Sequence, residues 1–121
     1  MSELVLIVDD EALIAYDIAE TVQSCGFQVL GPATSLTEAS ALIERQKPQV
    51  ALLDIDVAGD VVWPLARRLV TLGCKPVFIS ANQTHSELHD EFCGCATVDK
   101  PASQDEIQDV LEITISPTQA A

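Results

Sequence analysis

Leu4-Val5-Leu6-Ile7-Val8-Asp9-Asp10 and, further along, Val50-Ala51-Leu52-Leu53-Asp54-Ile55-Asp56 are the two stretches that decide the fold. Each is an unbroken apolar run too short for a helix that stops abruptly at carboxylates. A run without alternation suits a strand covered on both faces, the situation of a parallel sheet between two layers of helices. Working outward from the first run, Leu13, Ile14, Ile18 and Val22 recur at helical spacing until Gly26. Phe27-Gln28-Val29-Leu30 then reads as a strand closed by Gly31-Pro32. Ser35 with Glu38 forms a capping box for a helix whose inner face is Leu36, Ala39, Leu42 and Ile43.

Beyond the second run, Val62, Leu65, Ala66, Leu69 and Val70 predict a helix that ends at Gly73, with Trp63 and Pro64 in its first turn. Pro76-Val77-Phe78-Ile79 is a strand ending at Ser80. A weaker helix with Leu88 and Phe92 as its inner pair stops at Gly94. Cys95 to Val98 is a short strand that runs into Asp99-Lys100-Pro101. A second capping box, Ser103 with Glu106, opens a last helix with Ile107, Val110 and Leu111 inside. Strand and helix alternate throughout, and right-handed crossovers then require a doubly wound, five-stranded parallel sheet with helices on both faces. Residues 1–115 are expected to form one domain and 116–121 a flexible C-terminal tail.

In such a sheet the site lies beyond the carboxyl ends of the strands. Polar residues collect there: Asp9 and Asp10 after the first strand, Asp54 and Asp56 after the third, Ser80 after the fourth and Lys100 after the fifth. Scattered surface charges would not favour strand ends. Clustered carboxylates repel unless a cation compensates them, and oxygen donors of this kind suit Mg2+. An ionised carboxylate can attack phosphorus, and catalysis of that transfer is mainly positioning and charge neutralisation. Asp54 is then the nucleophile, with Lys100 and the Ser80 hydroxyl facing the phosphoryl oxygens.

These pieces together, Leu6-Ile7-Val8-Asp9-Asp10-Glu11, Ala51-Leu52-Leu53-Asp54, Ile79-Ser80-Ala81 and Lys100-Pro101, resemble the receiver domains of two-component response regulators over essentially the whole chain. The resemblance implies a flavodoxin-like strand order 2-1-3-4-5, Asp54 as phosphoacceptor, and Asp9, Asp10, Asp54 and the backbone carbonyl of Asp56 around Mg2+. It also implies Ser80 as the switch hydroxyl, Lys100 on the phosphoryl group and a cis peptide before Pro101. The donor implied is a histidine kinase or histidine phosphotransfer protein of a two-component system or phosphorelay. The chain departs from the pattern twice. Asp56-Val57-Ala58-Gly59-Asp60 replaces the Met-Pro pair that many receivers carry in that loop, and Thr97 stands where most have an aromatic switch residue.

Six basic residues against nineteen acidic ones give a net charge of −13, which repels nucleic-acid backbones and argues against direct DNA binding. No run approaches membrane-spanning length and no secretory signal opens the chain, so the expectation is a cytoplasmic protein. Output is expected by protein contact or onward phosphotransfer, with a homodimer left open. Cys25, Cys74, Cys93 and Cys95 read as thiols. His85, His89 and Cys93, spaced by four on the expected fourth helix, could be joined by Cys95 in a zinc set, but an exposed polar face accounts for them better. The alternative from the enzyme class is a haloacid-dehalogenase-like Mg2+-dependent phosphohydrolase, whose nucleophile also sits in an Asp-x-Asp motif such as Asp54-Ile55-Asp56. Its acidic metal motif normally comes last, whereas Asp9-Asp10 come first here.

Overall fold

Alternate residues of a strand point to opposite faces, so an unbroken apolar run feeds two cores at once. The computed structural model, which describes residues 3–81 and 85–115, shows this division. On strand β1 (Leu4–Val8), Leu6 and Val8 enter one core while Val5 and Ile7 enter the other. Strand β3 (Val50–Asp54) divides likewise, Ala51 and Leu53 against Val50 and Leu52. Strand β6 (Lys75–Ser80) places Phe78 in the first core and Val77 and Ile79 in the second. With β2 (Gln28–Ala33) and β7 (Ala96–Asp99) these strands form one parallel sheet in the order β2-β1-β3-β6-β7. Counting its strands along the chain, this is the flavodoxin-like order 2-1-3-4-5.

Helices α1 (Ala12–Ser24) and α5 (Gln104–Ile115) cover one face. Helices α2 (Leu36–Arg45), α3 (Trp63–Thr71) and the single turn α4 (Ser86–His89) cover the other. The Ser103–Glu106 capping box forms in full, and the Ser35–Glu38 pair forms with its return bond one residue early, at Thr34. The Glu38 N–H donates to Ser35 Oγ at 3.1 Å while the Glu38 carboxylate turns back to the Thr34 N–H at 2.8 Å. The Glu106 N–H donates to Ser103 Oγ, and the Ser103 N–H to the Glu106 carboxylate, both at 3.1 Å. Each box satisfies amides that the first helical turn leaves without partners.

Several elements differ from the expectation. On α1 the buried apolar residues are Ala15, Ile18, Ala19 and Val22, an i, i+3, i+4, i+7 stripe, with Thr21 buried beside it, whereas Leu13 is 88% exposed and Ile14 lies at the margin. Leu13 sits two positions from Ala15, roughly opposite on the helical wheel, and the small alanines are what let α1 approach the sheet. Val70 is also exposed, near the end of α3, and Val62 precedes that helix as its N-cap. Strand β2 does not close at Gly31-Pro32 but continues to Ala33. A shift of register between Leu6 and Val8 absorbs the bend. Gly31 has φ +100°, and a Cβ there would meet the Ala33 nitrogen at 2.8 Å, so only glycine fits. The peptides before Pro32 and Pro101 are both cis.

The fourth helix is much shorter than the spacing of Leu88 and Phe92 implied. It ends at His89, and Phe92 is buried from the turns that follow. Tertiary contacts hold this segment. The Phe92 ring stacks on Trp63 with centroids 5.7 Å apart and meets Phe78 at 5.1 Å, and His85 approaches Trp63 edge-on at 5.7 Å. Outside, the Arg67 guanidinium grips the Glu91 carboxylate with two hydrogen bonds of 2.6 and 2.8 Å. No helix among the described residues is long and apolar enough to cross a membrane. The expected C-terminal tail, 116–121, lies outside the described residues.

Candidate functional site

Strands β1 and β3 are adjacent, so the carboxylates that end them meet. Asp9 is fixed first, its N–H donating to the Ala33 carbonyl at 3.0 Å on the β2 side while its carboxylate accepts from the Glu11 N–H at 2.9 Å. Carboxylate oxygens of Asp9, Asp10 and Asp54 all lie within 4.8 Å of one another. Lys100, just past β7, reaches into this group with Nζ 3.3 Å from Asp9 Oδ2 and 3.2 Å from Asp54 Oδ2. Ser80 ends β6, buried, and its carbonyl accepts from the Lys100 N–H at 3.1 Å, which ties the two strand ends together.

Burial disfavours charge, and Asp54 shows the consequence. Its carboxyl is raised from the ordinary 3.8 to about 6, chiefly by desolvation, with Asp9 and Asp10 adding repulsion and Lys100 opposing. Burial acts against the Lys100 ammonium too, but the Asp54 and Asp9 carboxylates outweigh it and hold Lys100 above the usual lysine range. The donor set consists of hard oxygens clustered on one side, which fits a divalent cation such as Mg2+ or Ca2+ and not a soft thiophilic metal.

The loop after Asp54 takes a path that the sequence had left undefined. Strands β4 (Asp56–Val57) and β5 (Asp60–Val61) form a miniature antiparallel hairpin, its base closed by the Val62 N–H on the Ile55 carbonyl at 2.8 Å. The turn residues Ala58 and Gly59 have φ of 54° and 88°, the two positive values a type I′ turn demands. The Ala58 N–H donates to Asp10 Oδ2 at 2.9 Å, so a site carboxylate also anchors the hairpin tip. Alanine is strained at that φ, and Ala58→Gly is expected to stabilise the protein by about 1 kcal/mol. Urea unfolding that gives an unchanged or lower midpoint for the variant would show that the turn is not strained.

Asp56 stands apart, its side chain exposed and outside the carboxylate group. Thr97 is exposed on β7, paired in register with Phe78. The zinc set loses the helical spacing it relied on, because α4 ends before Cys93, and the His89 side chain lies outside what the structure describes; the acidic triad is the sole metal-competent cluster among the described residues. The Ala58–Asp10 contact was missed in the sequence, though Ala-Gly between two short β-prone pairs is a weak hairpin signal.

No family model matches the chain. The transcriptional regulatory protein PdtaR of Mycobacterium tuberculosis is 26% identical over 115 residues, covering 93% of this chain and 56% of that protein. The positive alginate biosynthesis regulatory protein of Pseudomonas aeruginosa is 40% identical over 90 residues, covering 73% of this chain and 34% of its own length. The response-regulator REC domain of PhyR from Erythrobacter litoralis superposes with TM-score 0.81 at 25% identity, over 94% of this chain and 90% of that one. The chain belongs with response-regulator receiver domains. It spans about half the length, or less, of these two curated relatives. As a receiver domain it sits among signalling regulators, and nothing in these likenesses favours the phosphohydrolase alternative.

Proposed function

We propose that the chain is a phosphoacceptor of a two-component system or phosphorelay, receiving a phosphoryl group on Asp54 from a phosphohistidine donor in the cytoplasm. The observation that carries this reading is the convergence of Asp9, Asp10, Asp54 and Lys100 beyond the carboxyl ends of the strands, with the Lys100 ammonium touching both Asp54 and Asp9. Asp9 and Asp10, with Asp54 and the Asp56 carbonyl, would hold Mg2+. When bound, Mg2+ supplies positive charge to the developing phosphoryl oxygens and lowers the Asp54 pKa.

The chain's own residues do the rest. Asp54, ionised, is the nucleophile, and bond formation at phosphorus displaces the donor's leaving group to give an acyl phosphate. Lys100 moves from its carboxylate partners toward the incoming oxygens, and the Ser80 hydroxyl donates to another. A groove of about 400 Å3 opens beside Lys100, lined by Ile14, Ile18, Ile79, Ala81, Pro101 and Ala102. That largely apolar surface beside Lys100, with Asp17 also on its rim, supports a protein donor docking there, either a histidine kinase or a histidine phosphotransfer protein. The signal would leave through Ser80 and Lys100 into α4 and β7, where Thr97 presents no ring to reorient. The output is then a contact change on a partner or a second copy.

The test uses the full chain with Mg2+ and acetyl phosphate or phosphoramidate. A gain of about 80 Da that depends on the cation and maps to Asp54 is the expected result. Modification elsewhere, or equal labelling with the cation chelated, would refute the assignment. Steady turnover of a generic phosphate ester would instead favour a hydrolase.

A further inference from the structure

Outside the acidic site, the described residues hold thiols close together where α4 leads into β7. Cys93, Gly94 and Cys95 occupy a turn closed by the Cys95 N–H on the Phe92 carbonyl at 3.0 Å. Two residues of chain span at most about 7 Å, and a turn shortens that into the roughly 4.4–6.8 Å that a disulfide bridges. Cys93 is exposed and Cys95 half-buried. The Cys95 thiol is pushed up by burial first and then by the neighbouring Cys93. Cys74 is different: it is buried in the core and its thiol is pushed up to about 12 by desolvation, so it stays protonated and inert.

We propose that Cys93 and Cys95 form a reversible dithiol–disulfide site, oxidised by low-molecular-weight disulfides such as glutathione disulfide. The Cys93 thiolate attacks one sulfur of the oxidant, forming a mixed disulfide and expelling one thiolate. Cys95, losing its proton, then attacks the Cys93 sulfur, closes the intramolecular bond and expels the second thiolate. Two protein thiols and one small disulfide become one protein disulfide and two small thiols. Exposure makes Cys93 the entry sulfur, and partial burial makes Cys95 the resolving one. The ring closed is small, and strained disulfides of this kind are the easily reduced, regulatory ones.

The location gives the bond a consequence. The turn sits between Phe92, stacked on Trp63, and β7, which leads to Lys100. Covalent closure would stiffen the stretch through which α4 and the lysine are joined.

The test is titration of the full chain with glutathione disulfide, followed by intact mass and peptide mapping. A product about 2 Da lighter, with Cys93 and Cys95 linked and reversed by dithiothreitol, is expected. Cys95→Ser should accumulate the glutathione adduct on Cys93 instead, and Cys93→Ser should react at least about 10-fold more slowly. Tandem mass spectra of the unsubstituted chain decide the linkage even where a variant folds poorly. A Cys74–Cys95 or Cys25-containing bond, or no loss of mass under conditions that oxidise an unstructured Cys-Gly-Cys peptide, would overturn the proposal.

Discussion

Replacing Asp54 with Asn is expected to abolish phosphoryl uptake and, at neutral pH, to make the cation-free protein more stable than its parent. The first effect follows from removal of the nucleophile. The second follows from the environment. The folded Asp54 carboxyl titrates near 6 against its ordinary 3.8, so between those values the native state retains a proton that the unfolded chain has released. Stability therefore falls as pH rises from about 4 to about 6 and stays reduced above it, by on the order of 1–3 kcal/mol at pH 7. Asn carries no charge to desolvate, so the variant should lose this slope. Urea unfolding at pH 4, 5, 6 and 7 without divalent cation would check it. Parallel curves for parent and variant would show that the charge at Asp54 is not under strain. Persistent labelling of the variant at parental yield would remove Asp54 as the acceptor.

The second large effect belongs to Lys100. Its ammonium is the cation that touches both Asp9, which is 2% exposed, and Asp54. Lys100→Ala leaves those carboxylates without it. Breaking a buried pair by removing one partner is costly, and here the loss in cation-free stability should be about 2–3 kcal/mol, given that the lysine itself keeps some solvent contact. Millimolar Mg2+ should restore part of that loss by binding the native state alone. Phosphorylation of the variant should be slower by roughly 100-fold, because one preorganised positive group is gone from the transferring oxygens. Denaturation curves with and without Mg2+ and a time course with acetyl phosphate read both effects. A variant as stable as the parent without the cation would mean that the observed ion pairs contribute nothing.

The readable part of this molecule was the part where one physical rule dominated. Apolar runs ending in carboxylates identified β1 and β3, because a strand buried on both faces leaves no other pattern, and the sheet then had to bring Asp9, Asp10 and Asp54 together. The capping boxes at Ser35 and Ser103 were equally plain, since each needs a single pair of residues at fixed spacing. Reading failed where two rules competed. Leu13 counted as apolar, but α1 is oriented by the small residues Ala15 and Ala19, and periodicity weights size wrongly when close approach matters. Leu88 and Phe92 share a helical spacing, yet the aromatic stack on Trp63 holds Phe92 without a helix. Gly31-Pro32 looked like a stop because local propensity takes no account of the neighbouring strand β1, whose pairing carries β2 through it. The hairpin after Asp54 was hidden because its stabilising partner, Asp10, is far away in sequence.

The anchoring of α4 has one more consequence. A four-residue helix makes almost no hydrogen-bond ladder of its own, so the stretch from His85 to Cys95 depends on the Trp63–Phe92 stack and the Arg67–Glu91 fork. Segments with so little regular backbone hydrogen bonding are expected to open at lower free energy than the sheet. A protease added in trace amounts should therefore make its first cut within the described chain in this stretch, and the pace of that cut would report any ligand or covalent change that tightens or loosens it. The surface proposed to carry the signal is then also the one expected to give way first when the protein is warmed.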